Sequence, residues 1–303
     1  MPYYLGIDGG GTKTTCAVGD ETRLLASATA GPSNIVRVGE AQTRESLQAV
    51  VRQACSASGI TVKQVSRTCV GGSGAARPEL AAIIRSILAE ILPTPIDVVG
   101  DMETSLEAAF GEGSGVIVIA GTGSMAYGRD KTGRTVRAGG WGFEIGDEGS
   151  AHWIGREAVR LVLRASDRDP ADSALAKALC KAWGVSSLSD LARAANSVPT
   201  PDFAALFRPV VASDDDLARQ VLSQAGRELG EVAGVVIRRL FEGDSASVPV
   251  AMIGGVFRHA ALVRDGFYNE LHRLAPRAEI IPEVVDPVEG ALRLARRGAA
   301  NCI

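Results

Sequence analysis

Ile7-Asp8-Gly9-Gly10-Gly11-Thr12 and, later in the chain, Ile119-Ala120-Gly121-Thr122-Gly123-Ser124 are two forms of one device. In each, an apolar β-prone run leads into a glycine-rich turn that carries a hydroxyl group. Around the first, the short runs Tyr3–Asp8, Thr14–Gly19 and Arg23–Thr29 are separated by Gly9-Gly10-Gly11 and by Asp20-Glu21, which predicts three strands. Helical spacing follows: Leu47, Val50, Val51 and Ala54 share one face, as do Leu80, Ile83, Ile84, Ile87 and Leu88. Thr68-Cys69-Val70, ending in Gly71-Gly72, and Ile96–Val99 predict further strands, and Met102–Phe110 a helix. Strands alternating with helices indicate an α/β fold with a largely parallel sheet. The pattern restarts at Gly113-Ser114-Gly115 with Val116–Ala120, the most apolar run of the chain. Two similar halves, residues 1–115 and 116–303, would each begin with such a hairpin and face their turns across a cleft. Beyond Gly149 the second half reads as mostly helical, with Leu217–Phe241 as a long amphipathic helix. A late strand, Val248–Ile253, ends in Gly254-Gly255, and Val288–Arg297 forms a C-terminal helix that could pack back on the first half.

Backbone N–H groups converge on an anion only where no Cβ blocks its approach, so glycine belongs in a phosphate-holding turn. Gly10, Gly11 and Thr12 in one turn, and Gly121, Thr122 and Gly123 with Ser124 in the other, are candidate phosphate ligands. Asp8 stands where it could hold Mg²⁺ through water, since that ion keeps much of its hydration shell and needs few carboxylates. One such turn would equally serve as an ordinary hairpin; two matched turns, each opening a half, favour the ligand. A P-loop is absent, because Thr12-Lys13-Thr14 lacks the required glycine. Gly121-x-Gly123-x-x-Ala126 resembles a dinucleotide fingerprint, but that fingerprint needs a helix after the turn, and Met125–Arg129 continues as a strand. Lys13 reads as an exposed strand residue.

Asp101 lies between a strand and a helix, at the strand's carboxyl end, where open α/β sheets bind ligands. It could be a helix N-cap, a general base toward a hydroxyl group, or both. The densest cluster is Gly139–Gly155, in which six glycines accompany Trp141, Trp153, Glu144, Asp147 and Glu148. Acids and aromatics on a backbone that a ligand can approach closely suit a polyhydroxylated small molecule. Glu148, Ser150 and His152 could instead be first-turn acids and caps, and three scattered histidines offer no metal-site spacing. Asn34 reads as a turn residue, and Gly254-Gly255 as either a third ligand-facing turn or a plain strand-to-helix connection.

Composition narrows the class. The chain has 303 residues, with 32 basic and 35 acidic side chains for a net charge of −3. That near-neutral balance gives no global reason to seek nucleic acid. The longest uncharged run, Gly113–Gly128, is shorter than a bilayer span of about 20 residues and is broken by glycines and serines, and nothing at the N-terminus reads as a signal peptide. Cys16, Cys55, Cys69, Cys180 and Cys302 form no paired motif, as expected of reduced thiols in the cytoplasm.

Ile7–Thr14, Gly121–Ser124 and the string from Gly140-Trp141-Gly142 through Gly146-Asp147-Glu148-Gly149-Ser150-Ala151 resemble the N-acetylglucosamine kinases of the BadF/BadG/BcrA/BcrD ATPase family. The resemblance spans nearly the whole chain. It implies two ribonuclease-H-like domains of the actin and Hsp70 type flanking a nucleotide cleft, with ATP as phosphoryl donor and the 6-hydroxyl of a hexosamine as acceptor. It also implies roles. Thr12 and Thr122 match ATP-binding positions, and Gly254 and Gly255 match the adenosine side. Asn34, Asp101, Gly140, Trp141, Gly142 and Asp147 match sugar-binding positions, with Asp101 also the base. Gly100 and Met102 depart from residues common beside that base in the family. The resemblance leaves N-acetylglucosamine, glucosamine and a muramic-acid sugar as alternatives and suggests a homodimer. A radical-dehydratase activator, another activity of the wider family, would need a cluster-binding cysteine motif that this sequence lacks. A sugar-responsive regulator would need a DNA-binding segment ahead of the first strand.

Overall fold

The computed structural model describes residues 1–72, 74–75, 77–168, 173–243 and 246–300, the side chains of 299 and 300 excepted. Cys302 lies outside the described residues. In chain order the elements are β1 (Tyr3–Gly9), β2 (Thr14–Gly19), β3 (Leu24–Ala30), α1 (Ile35–Ser58), β4 (Val65–Gly72), α2 (Pro78–Ala89), β5 (Ile96–Gly100) and α3 (Asp101–Phe110). The restart adds β6 (Gly115–Ala120), β7 (Ser124–Arg129), β8 (Thr135–Gly139) and four helices, α4 (Ala151–Ser166), α5 (Ala174–Trp183), α6 (Leu188–Ala195) and α7 (Phe207–Ala212). Then come α8 (Asp216–Phe241), β9 (Val248–Ile253), α9 (Gly255–His259), α10 (Ala261–Leu274), β10 (Ala278–Val285) and α11 (Pro287–Ala300). Two compact units result: Met1–Gly113 with Val285–Ile303, and Ser114–Val284.

Each unit holds a five-stranded sheet of one topology. The first runs β3-β2-β1-β4-β5 and the second β8-β7-β6-β9-β10. In both, the opening three strands form an antiparallel meander and the fourth runs parallel to the first. The sheets are therefore mixed where a largely parallel one was expected. The reason is that the glycine turns are tight hairpins, and a two-residue or similar connection can only join antiparallel strands.

In the first unit, alternation along β1 sends Leu5 and Ile7 to one face, against Leu47, Val50 and Val51 of α1 and Ile84, Ile87 and Leu88 of α2. Tyr4 points to the other face, where Ala17, Cys69 and Val288, Leu292 and Ala295 of α11 meet it. Gly6 lies on that second face, and a Cβ there would stand 2.3 Å from the Leu292 backbone nitrogen. α11 is seated against bare backbone. In the second unit α8 and α10 pack in the same way. Gly226, Gly230 and Gly234, at helical spacing of four, form a groove along α8; a Cβ on Gly226 would meet the Val263 carbonyl at 2.3 Å. The glycines that punctuate this long helix are thus its contact face. Cys16, Cys55 and Cys69 are buried free thiols, and burial pushes all three above the ordinary thiol range, Cys69 to about 12. No described helix is long and apolar enough to cross a membrane.

The seating of α11 is open to a direct test. Gly6→Ala is expected to lower stability to urea by about 1–3 kcal/mol, the usual cost of overpacking a closed contact. An unchanged unfolding midpoint would show that this helix does not rest on β1.

Candidate active site

Parallel pairing sets Asp8 beside Gly71 and Gly9 beside Gly72, and across β4 Gly71 lies beside Val99 and Gly72 beside Gly100. Asp8 and Asp101 therefore stand at the carboxyl ends of strands in one sheet. Asp101 is not the cap of α3. Gly100 takes that position with extended backbone, and Asp101 is the first helical residue, its Oδ1 accepting from the Met102 N–H at 3.1 Å. A carboxylate in the first turn is favoured by the helix dipole without being consumed as a cap. Thr104, fully buried, donates from Oγ1 to the Asp101 carbonyl at 3.1 Å and fixes that turn.

The first glycine turn closes through the Gly10 N–H on the Lys13 carbonyl at 3.0 Å. The Gly10 carbonyl in turn accepts from the N–H groups of Ser33 and Asn34 at 3.1 and 3.2 Å. Asn34 is thereby tied to the turn, and it is the N-cap of α1: its Oδ1 accepts from the Val36 and Arg37 N–H groups. Its side-chain oxygen is thus committed, and Nδ2 is the atom it can offer to a ligand. Gly11 is half-buried and Thr12 exposed at the tip. Lys13 lies in the turn itself, outside the strands where it was expected.

Asp8 is half-buried, and its carboxyl is pushed up to about 7, first by burial, then by Asp101 and Asp286, with Lys13 acting in the opposite sense. Asp286 escaped the sequence reading. It sits between β10 and α11, where its Oδ1 accepts from the Val288 N–H at 3.3 Å. Asp before Pro287 at the head of a helix is a cap signal, and it was available in the sequence.

In the second unit the turn after β6 and the glycine cluster interlock. Asp147, buried and at positive φ (58°), accepts from the Gly142 N–H at 3.3 Å and from the Ser124 backbone N–H. Its Oδ2 fills the space beside Gly123, where a Cβ would approach to 2.6 Å. Burial raises its carboxyl above the ordinary range while the two N–H donors oppose that shift. The Ser124 hydroxyl donates to the Glu148 carbonyl at 2.6 Å, and Ala151 N–H donates to the Gly121 carbonyl at 2.8 Å. The His152 N–H reaches the Thr122 carbonyl at 3.3 Å, so α4 begins on the turn itself. Ser150 caps that helix by accepting from the Trp153 N–H. The His152 ring lies between Phe143 and Phe203, with centroids 4.8 and 5.2 Å away.

Trp141 and Gly142, with half-buried Gly140 before them, form the crest of the cluster, Gly140 and Gly142 at φ 70° and 98°. The chain then folds back, Gly146 N–H donating to the Gly142 carbonyl at 2.8 Å. Gly254 joins the same assembly. A Cβ there would lie 2.3 Å from the Ala120 carbonyl oxygen, and Gly255 begins α9, so this is a strand-to-helix connection pressed against the Gly121 turn. Within the second unit, then, Gly121–Ser124, Gly140–Asp147 and Gly254-Gly255 share one region. Within the first, Asp8, Gly10–Thr12 and Asn34 gather round the first turn, and Asp101 stands with Asp8 at the carboxyl ends of the strands. Among the described residues no group of three or more His, Cys, Asp or Glu side chains is arranged to hold a metal ion by itself.

Residues 5–295 match the BadF/BadG/BcrA/BcrD ATPase family. An N-acetylmuramic acid/N-acetylglucosamine kinase of Clostridium acetobutylicum is 32% identical over 98% of this chain and 99% of its own. An N-acetyl-D-glucosamine kinase of Dictyostelium discoideum is 29% identical over 96% and 97%. A crystal structure from Chromobacterium violaceum, provisionally named an N-acetylglucosamine kinase, superposes with a TM-score of 0.77 at 27% identity, covering 97% of this chain and 99% of that one.

The raised Asp8 carboxyl makes stability depend on pH in a stated window. Below pH 3.8, its ordinary value, folded and unfolded forms both carry the proton. Between there and about 7 only the folded form keeps it, so the folded state loses stability as pH rises, and above about 7 the loss is complete. Asp8→Asn should therefore gain thermal stability over the metal-free parent as pH climbs from about 4 to about 7. A gap between the two melting curves that stays constant across this range would refute the assignment.

Proposed function

The chain belongs to the BadF/BadG/BcrA/BcrD ATPase family, and on that premise we propose that it is a kinase moving the terminal phosphoryl group of ATP to the 6-hydroxyl of a hexosamine. The observation that carries this reading is the interlock of Gly121–Ser124 with Asp147. A turn suited to phosphate and a loop suited to sugar hydroxyls share one buried carboxylate, so the second unit's parts of the donor and acceptor sites meet at Asp147. The relatives from Clostridium acetobutylicum and Dictyostelium discoideum, similar over nearly their full lengths, support the acceptor class.

In this reading Gly10, Gly11 and Thr12 of the first unit, and Gly121, Thr122 and Gly123 of the second, present N–H and hydroxyl donors to the phosphates. Gly254 and Gly255 adjoin the second of these turns and take the adenosine side. Asn34, through Nδ2, Asp147 and the Gly140–Gly142 backbone fix the sugar ring. Asp101 accepts the proton of the attacking 6-hydroxyl. Thr104 holds the Asp101 backbone in the first turn of α3, and the Met102 N–H orients the carboxylate through Oδ1. Phosphoryl transfer asks little covalent chemistry of a protein, so positioning and charge carry most of the rate.

The residues fit a divalent cation at Asp8. Burial and two neighbouring carboxylates leave that oxygen donor short of positive charge, and Mg²⁺ prefers oxygen and retains water. Asp8 would hold the ion through water. When bound there, Mg²⁺ would offset negative charge on the phosphate oxygens.

Two substitutions separate the parts. Asp101→Asn should lower kcat by at least about 10²-fold, the low end for loss of a general base, with the sugar's KM little changed. Near-parental turnover would remove Asp101 from that role. Gly123→Ala forces its new methyl against Asp147 and should raise the KM for sugar and for ATP together. A change confined to one of them would mean that the Gly121–Ser124 turn and the Gly140–Asp147 loop do not act through their shared carboxylate.

A further inference from the structure

β8 places Val136 toward the core, packed against the face of α8, and so turns Arg137 to the opposite, exposed side. The guanidinium carbon of Arg137 lies 4.9 Å from the centroid of the Trp141 ring. Trp141 is itself 69% exposed, although large aromatic side chains usually end up covered. Among the described residues the Arg137 side chain makes no hydrogen bond and no ion pair; the indole is its partner. Other arginines of the same unit are committed. Arg160, Arg193, Arg219 and Arg273 each pair with a nearby carboxylate on their own or an adjoining turn. Arg156, beneath the glycine cluster, donates from Nη1 to the carbonyls of Phe143 and Glu144 at 3.4 Å. Of the loop's acids, Asp147 is turned inward on Gly142 and Ser124, while Glu144 is exposed. Trp141 and Arg137 thus offer a ligand an aromatic face with a cation over it that no hydrogen bond or ion pair engages.

A guanidinium held over an aromatic face keeps its N–H donors free at its edge, already oriented in the plane where a carboxylate accepts two parallel bonds. The stack removes part of the rotamer freedom that a long side chain would otherwise lose on binding. We propose that Arg137 is a specificity-determining residue that selects hexosamines bearing a carboxylate on an ether arm, such as the lactyl group of N-acetylmuramic acid, over neutral hexosamines. This inference rests on the reading of Gly140–Gly142 as the ring-holding segment. Lysine would serve less well, because an ammonium cannot supply the planar fork.

The test measures kcat/KM of the full chain for N-acetylglucosamine, N-acetylmuramic acid and the methyl ester of N-acetylmuramic acid. Arg137→Met keeps an apolar stem over the indole and removes the charge. It should lose about tenfold or more on the acid, as expected for a charge-assisted bond, and stay within about twofold on the two neutral sugars. Arg137→Lys should fall between, and added salt should erode the parent's preference for the acid over its ester. Equal losses on all three sugars in Arg137→Met would overturn the inference, as would a parent enzyme that prefers the ester to the acid. Turnover of N-acetylglucosamine without turnover of N-acetylmuramic acid would overturn it while leaving the kinase reading intact. Failure to phosphorylate any hexosamine would overturn that underlying reading, and the inference with it.

Discussion

The carboxylate of Asp147 is the contact on which the second unit's candidate site depends. It is buried, sits on a residue with left-handed backbone, and occupies the space that a side chain at position 123 would need. Asp tolerates that backbone better than most residues but still at some cost, and a buried carboxylate adds a desolvation cost of its own. Two backbone N–H donors, from Gly142 and Ser124, offset the second cost and fix the distance between two loops that are far apart in sequence. Without Gly123 the carboxylate has no room, and without the carboxylate the crest of the glycine cluster loses its tether. Strain held in this way is a common property of segments that must be ready for a ligand.

The first unit is organised by the opposite tension. Asp8 gathers carboxylate neighbours, and Lys13 at the turn acts on it in the opposite sense. Such an arrangement is poor for stability of the isolated fold and suits a site that receives positive charge with its ligand. Stability and readiness for a ligand pull against each other here, as they do at many active sites.

Much of this was legible beforehand, and the exceptions have physical causes. The glycine turns announced hairpins because few residues but glycine fit such geometry, and their repetition announced the two matching sheets. Asp101 was displaced by one position from its expected cap, since Gly100 can end a strand in extended backbone as easily as it can open a helix. Asn34 declared only a turn; its capping of α1 depended on a helix that continues past a kink at Gly39. β10 was missed because Pro282 interrupts it, and proline argues against a central strand. Its place at the sheet's edge is where that objection lapses. The Arg137–Trp141 stack joins two residues from a strand and a loop, and no periodicity reports a contact of that kind.

The return of α11 to the first unit has a consequence for synthesis. Tyr4, Ala17 and Cys69 present an apolar sheet face whose cover is made only when Val288, Leu292 and Ala295 emerge from the ribosome. Until then the early half is a sandwich with one slice missing, and the entire second unit must be translated while that face waits. Folding cannot finish in the order of translation, because the amino-terminal lobe is completed last. A nascent chain stalled anywhere before Pro287 would display a greasy surface, which is the type of feature that holding chaperones recognise.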